Sequence, residues 1–157
     1  MLISHVLAAK GNAVASLLPE DLVADALDLM AGRGIGAVVV QDRWQKLRGL
    51  FTERDLVRLL ARDRAEALAH RLESVMTHAV ITCRPEDRIE AVLTQMTRHR
   101  VRHLPVLDQG HLAGIVSIGD LVKYRLDEKA LEADVLLEIA RMRGAPDAPP
   151  LHQAHPV

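Results

Sequence analysis

The residues Gly49-Leu50-Phe51-Thr52-Glu53-Arg54-Asp55 return 65 positions later as Gly114-Ile115-Val116-Ser117-Ile118-Gly119-Asp120. Glycine, two apolar residues, a hydroxyl and, three places on, a carboxylate recur in one order. Upstream the offset is 66: Pro19-Glu20-Asp21 falls on Pro85-Glu86-Asp87, Met30 on Met96, Ile35 on Val101 and Asp42 on Asp108, the extra residue lying in the first turn between Arg43 and Leu47. A chain that repeats itself over about 60 residues uses one supersecondary unit twice, and a unit of that size buries too little apolar surface to stand alone. The two copies are therefore expected to pack on one another.

In the second copy two short β-branched runs, Val101 to Leu107 and Leu112 to Val116, are parted by Asp108-Gln109-Gly110, which is the pattern of a β-hairpin. The hairpin runs into Ser117 and a helix opened by Asp120. A hydroxyl and a carboxylate at a strand-to-helix junction suit a ligand with a sugar and a phosphate. Backbone N–H groups at a helix N-terminus hold an anion, and the carboxylate accepts from vicinal hydroxyls. Helix capping asks for the same residue types and is compatible with that use.

Taken in order, residues 2–9 predict a short helix ended by Lys10 and Gly11, and Val14-Ala15-Ser16 a brief strand. Asp21 is the expected N-cap of a helix that turns Val23, Ala26, Leu27 and Met30 inward and stops at Gly32 and Gly34. Ile35 to Val40 reads as a buried strand, Leu50-Phe51 as the next, and Asp55 to Ala61 as a helix. The polar, alanine-rich residues 62–71 read as the connection, with Leu72 to Met76 leading into the second copy. There Val80-Ile81-Thr82 is the expected first strand, and Asp87 with Glu90 a capping box for a helix burying Ile89, Val92, Leu93 and Met96. After Tyr124 a charged helix, roughly Leu126 to Met142, carries Leu131, Val135, Ile139 and Met142 on one side. The boundaries expected are 1–61 and 72–126 for the copies, 127–143 for the last helix, and a disordered proline-rich tail at 144–157.

With one Phe, one Trp and one Tyr, the core has to be built from aliphatic residues and Met. A net charge of −1 gives no electrostatic reason to bind nucleic acid or an anionic membrane. No apolar run reaches the length of a bilayer span, and the N-terminus lacks the basic start of a signal peptide. The one cysteine, Cys83, excludes an internal disulfide, so a cytoplasmic location is expected. His99 and His103 are spaced like helical zinc ligands, but a helix-to-strand change falls between them, so no metal site is expected. Trp44, in the extended turn, is expected at the surface.

In order along the chain, Gly34–Asp42, Gly49–Asp55, Met76-Thr77, Arg102–Val106 and Gly114–Asp120 resemble the motifs of the tandem cystathionine-beta-synthase (CBS) domain pair, or Bateman module, over roughly residues 1–126. The likeness is greatest to small stand-alone bacterial members. The resemblance implies a mixed α/β fold of two β-α-β-β-α repeats packed sheet to sheet with pseudo-two-fold symmetry. It also implies an inter-repeat cleft for an adenosine ligand such as AMP, ADP, ATP, NAD or S-adenosylmethionine. Matched residue by residue, Asp55 and Asp120 take ribose hydroxyls, Thr52 and Ser117 approach phosphate or ribose, Val80 to Thr82 and the first-copy equivalents near Val14 to Ser16 flank the adenine, and Arg102 and His103 face the phosphates. The first copy has Gly36 and Ala37 at the latter positions, which favours one phosphate side built from Arg102, His103 and Arg54. Pro105 and Gly119 complete the candidate ligand-binding set. The expectation is a regulatory, non-catalytic adenine-nucleotide-binding module that forms a homodimer and acts on a protein effector. Its alternative is an interaction dimer with a vestigial cleft.

Overall fold

The computed structural model describes residues 1–144; the tail expected to be disordered lies otherwise outside the described residues. The order is α1 (Ile3–Lys10), β1 (Ser16–Leu17), α2 (Val23–Arg33), β2 (Ala37–Gln41), β3 (Leu47–Thr52), α3 (Glu53–Asp63), a 3-10 helix (Arg64–Ala69), α4 (Leu72–Val75), α5 (Ile89–His99), β4 (His103–Asp108), β5 (His111–Ser117) and α6 (Ile118–Met142). Residues 1–121 form one compact unit, and a second begins at Val122. Helix α6 is continuous where the sequence suggested two helices, because no glycine or proline interrupts residues 120–142.

The duplication is visible in the strand register. Val38 pairs with Phe51 and Leu104 with Val116, and both hairpins break register at equivalent places, Val40/Gln41 and Val106/Leu107. The turns differ. Asp42 ties the longer one through its Oδ1, which accepts from the amides of Trp44 and Lys46, and Trp44 is 84% exposed. The shorter one uses positive φ at Gln109 and Gly110.

The copies also differ at their first strand. In the first, β1 runs parallel to β2, with Leu17 opposite Val40 and the Val39 amide donating to the Ala15 carbonyl at 3.0 Å. That strand lies at Ser16–Leu17, not Val14–Ser16. In the second copy the strand expected at Val80–Thr82 does not form. Only the bridge Cys83 to Val106 remains, at the register of Leu17 and Val40. The counterpart of Val39 is Pro105, which has no N–H to give to Ile81, so the ladder cannot extend.

The segments leading into the copies are exchanged. Residues 1–4 bond to the second copy: the amides of Ile3 and Ser4 donate to the carbonyls of Asp87 and Pro85, and that of Ile89 to Met1. Residues 70–73 repeat this on the first copy, with Leu72 to Asp21, Glu73 to Pro19 and Val23 to His70. Leu72 to Met76 therefore packs on the first copy, as residues 1–4 pack on the second. The connection expected at 62–71 is largely helical: α3 continues to Asp63, and the 3-10 helix buries Ala67 completely. Two glycines permit the fit. A Cβ on Gly49 would lie 2.5 Å from Met76 Sδ, and one on its counterpart Gly114 2.7 Å from a Leu7 methyl.

The first copy's core gathers Val23, Met30, Val38, Phe51, Leu56, Ala67, Leu72 and Met76. Ala37, Val39 and Leu50 form a second cluster with Leu112 and Ile115 of the other copy, where the two hairpins meet. Three capping expectations are corrected. Asp21 and Asp87 are not N-caps; their carboxylates accept from the amides of Leu18 and Arg84, closing the turns begun by Pro19 and Pro85, and Leu22 and Arg88 occupy the N-cap positions. Asp120 is the third residue of α6, not its opener. Helix α2 runs through Gly32 and ends at Gly34, whose φ of 62° is left-handed.

Candidate ligand-binding cleft

Where β3 ends, Thr52 caps α3. The Asp55 amide donates to Thr52 Oγ1 at 3.3 Å, while the Asp55 carboxylate takes the Thr52 amide at 2.9 Å and its hydroxyl at 3.1 Å. Such a box is worth about 1 kcal/mol. It also fixes a carboxylate and a hydroxyl side by side at a helix N-terminus. The second copy builds the same box, with Ser117 N to Asp120 at 2.9 Å and Asp120 N to Ser117 Oγ at 3.0 Å. So capping is realised at both places.

Only the first box opens on the large cleft. A cavity of about 390 Å³, within the range of small-molecule sites, is lined by Gly36, Thr52 to Asp55 and Arg58 from the first copy, and by Ala79 to Ile81 and His99 to His103 from the second. Leu50, Val80 and Ile81 contribute apolar lining, and Arg54, Arg58, Arg100 and Arg102 contribute basic lining. Arg54 is braced by a 2.8 Å bond from Nη1 to the Arg100 carbonyl, which links the two copies across the opening. Gly36 matters through close approach: a Cβ there would sit 3.3 Å from both Glu53 Oε2 and His103 Cε1.

His103 stands between charges of both signs. Burial pushes its imidazole below the ordinary range, the carboxylates of Asp120 and Glu53 oppose that shift, and Lys10 and Arg102 add to it. Asp120 differs from Asp55 in its partner. Lys10 Nζ lies 2.6 Å from its Oδ2 and also donates to the Ile115 carbonyl at 2.9 Å. Burial alone would raise the Asp120 carboxyl, but the Lys10 hydrogen bond, the Ser117 amide and the Lys10 charge hold it below the usual range. Cys83 is not arranged for chemistry: burial, helped by the Asp87 carboxylate, pushes its thiol up to about 12. Among the described residues no group of three or more His, Cys, Asp or Glu is placed to hold a metal.

Of the candidate set, the cleft brings together Gly36, Thr52, Arg54, Asp55, Arg102 and His103. The other six lie elsewhere. Ala37 is not among the lining residues; it pairs with Thr52 and packs with Val39 and Leu50. Thr82 lies one residue past the lining segment, and Pro105 is buried in β4 beside Cys83. Ser117, Gly119 and Asp120 belong to the second box. Sequence reasoning left Glu53 and Arg58 out; Arg58 lies one turn beyond Arg54 in α3, so helical spacing alone pointed to it.

Two sheet-bearing repeats around a shared cleft, with a hydroxyl-carboxylate box from one copy facing basic residues of the other, define a paired ligand-binding module. The CBS domain profile matches residues 12–62 and again 72–127. The chain belongs to the CBS domain family, as a tandem pair. A mitochondrial CBS domain-containing protein of Arabidopsis thaliana is 35% identical over 134 residues, which is 80% of this chain and 65% of that protein. A solved CBS-domain protein of Agrobacterium tumefaciens is 38% identical with a TM-score of 0.78, covering 80% of this chain and 99% of the other. A CBS domain protein of Pyrobaculum aerophilum, solved in complex with AMP, shares the fold at 24% identity and a TM-score of 0.69, over 76% and 89% of the two chains. Among the described residues no helix is long and apolar enough to cross a membrane.

Proposed function

We propose that the chain is a regulatory, non-catalytic module that binds one adenosine nucleotide in the inter-repeat cleft, its ribose on Asp55 and its phosphate on the basic lining of Arg54, Arg102 and His103. The observation that carries this reading is the make-up of the cleft lining: apolar Val80 and Ile81 for a flat base, a carboxylate for vicinal hydroxyls, and guanidinium groups for an anion. The AMP bound to the Pyrobaculum protein supports an adenosine ligand as the class the fold accommodates. AMP, ADP, ATP, NAD and S-adenosylmethionine are the candidates.

A thermal-shift panel of those five ligands tests the proposal. A ligand at 100 times its dissociation constant stabilises by about 2.7 kcal/mol, and a flat response to all five would favour the interaction dimer with an empty cleft. Calorimetry then tests the pose: Arg102→Ala should weaken AMP more than adenosine, and equal losses would refute it. A homodimer is part of this proposal, supported by the apolar residues Leu131, Val135 and Ile139, which α6 leaves 63%, 48% and 41% exposed. Light scattering that returned the monomer mass of 17.3 kDa at micromolar concentration would count against it.

A further inference from the structure

The ribose and base parts of the proposed site exist twice. Ser117 and Asp120 repeat Thr52 and Asp55, and Val14 repeats Val80, both valines packing on the Ala37, Val39 and Leu50 cluster. The second position lacks counterparts of Arg54, Arg102 and His103, and at its ribose carboxylate it gains an ammonium. Lys10 is the last residue of α1, which is fixed by the Ile3 to Asp87 and Ser4 to Pro85 hydrogen bonds and by the seat of Leu7 at Gly114. Its Nζ is held at two points, Asp120 Oδ2 at 2.6 Å and the Ile115 carbonyl at 2.9 Å. The corresponding stretch beside the first box, Thr77-His78-Ala79, carries no lysine or arginine.

We propose that Lys10 is an internal competitor for the second adenosine position: it occupies the carboxylate that a ribose needs there, so the chain binds one ligand at Asp55 and would bind two without it. This rests on the ligand reading above. Two vicinal ribose hydroxyls engage both oxygens of a carboxylate, and the ammonium held on Oδ2 has to be displaced before that oxygen can accept one of them. A bound conformation available to a small fraction of molecules lowers apparent affinity by that fraction. The asymmetry at the ribose carboxylate thus comes from α1, an element outside both hairpins.

Calorimetric titration of AMP, ADP, ATP, NAD and S-adenosylmethionine into the wild-type chain, Lys10→Met and Lys10→Met/Asp120→Ala tests this, with melting curves to confirm that each is folded. Methionine keeps the apolar stem and removes the charge. The expected stoichiometries are one, two and one, the second site in Lys10→Met tightening by about 10- to 100-fold. A folded Lys10→Met that still binds one ligand, or a wild-type chain that already binds two with equal affinity, would overturn the role of Lys10 and leave the cleft reading standing. No binding by any of the three chains would overturn both.

Discussion

The two copies share register, bulge, glycine seat and capping box, yet one presents its box to a cleft and the other presents it to Lys10. Backbone geometry is what the duplication preserves. Chemistry is what it lets drift: Glu53 and Arg54 correspond to Ile118 and Gly119, and Gly36 and Ala37 stand where the second copy has Arg102 and His103. Pseudo-symmetry of the fold therefore does not carry over into symmetry of the site.

The largest expected effect tests that contrast directly. Asp55→Ala should weaken the adenosine ligand by roughly 10- to 150-fold, since a charge-assisted bond is worth about 1.5–3 kcal/mol, whereas Asp120→Ala should leave first-site affinity near its starting value. Each also loses a cap worth about 1 kcal/mol, so calorimetry is paired with urea melts. Equal affinity losses would abolish the distinction between the boxes.

Next in size is Gly49→Ala, expected to cost about 1–3 kcal/mol through overpacking. Its Cβ meets the Thr77 backbone carbonyl at 2.9 Å besides Met76, whereas at Gly114 only the Leu7 side chain stands in the way. Gly114→Ala should therefore fall at the low end of that range in the same melts. A larger loss at Gly114 would mean that α1 is the more rigid seat.

Val39→Pro should cost only about 1 kcal/mol, the value of one hydrogen bond, because Pro105 already sits at the matching position without disturbing β4. Urea midpoints measure it, and a loss of several kcal/mol would show that β1 does more than close an edge. The smallest effect concerns pH. The folded-state pKa of His103 is below its ordinary 6.5, so as pH falls through 6.5 the unfolded chain is protonated first and native stability declines until His103 itself takes a proton. The depressed Asp120 carboxyl acts lower: its contribution is present above 3.8 and is lost as pH falls through its folded value. His103→Ala, which copies Ala37, should flatten the dependence of the urea midpoint on pH just below 6.5 while leaving the loss in acid unchanged.

The repeat, the hairpins and most of the inward faces were legible in the sequence, because hydrophobic period and turn residues are local signals. Thr52 and Asp55 were legible for the same reason. The missing strand before Cys83 was legible too, had the absent N–H of Pro105 been set against the Val39 amide. What local pattern could not supply was pairing at a distance. Nothing in Lys10-Gly11 marks it as the partner of a carboxylate at Asp120, and no likeness between Leu2-Ile3-Ser4 and Arg71-Leu72-Glu73 betrays that they occupy equivalent places.

That exchange of lead-in segments has a consequence for how the chain acquires its structure. Residues 1–4 cannot take their place until Pro85 to Ile89 exist, nor can Leu7 find its seat until Gly114 does. The longest-range contacts in the unit are thus made by its first helix, and loop closure of that span slows folding relative to hairpins that close on near neighbours. A fragment ending after the first copy would leave Ile3, Val6 and Leu7, buried in the full chain, with no surface to cover them. The duplicated unit is therefore expected to fold and to be degraded as a single body, its first turn waiting on its last strand.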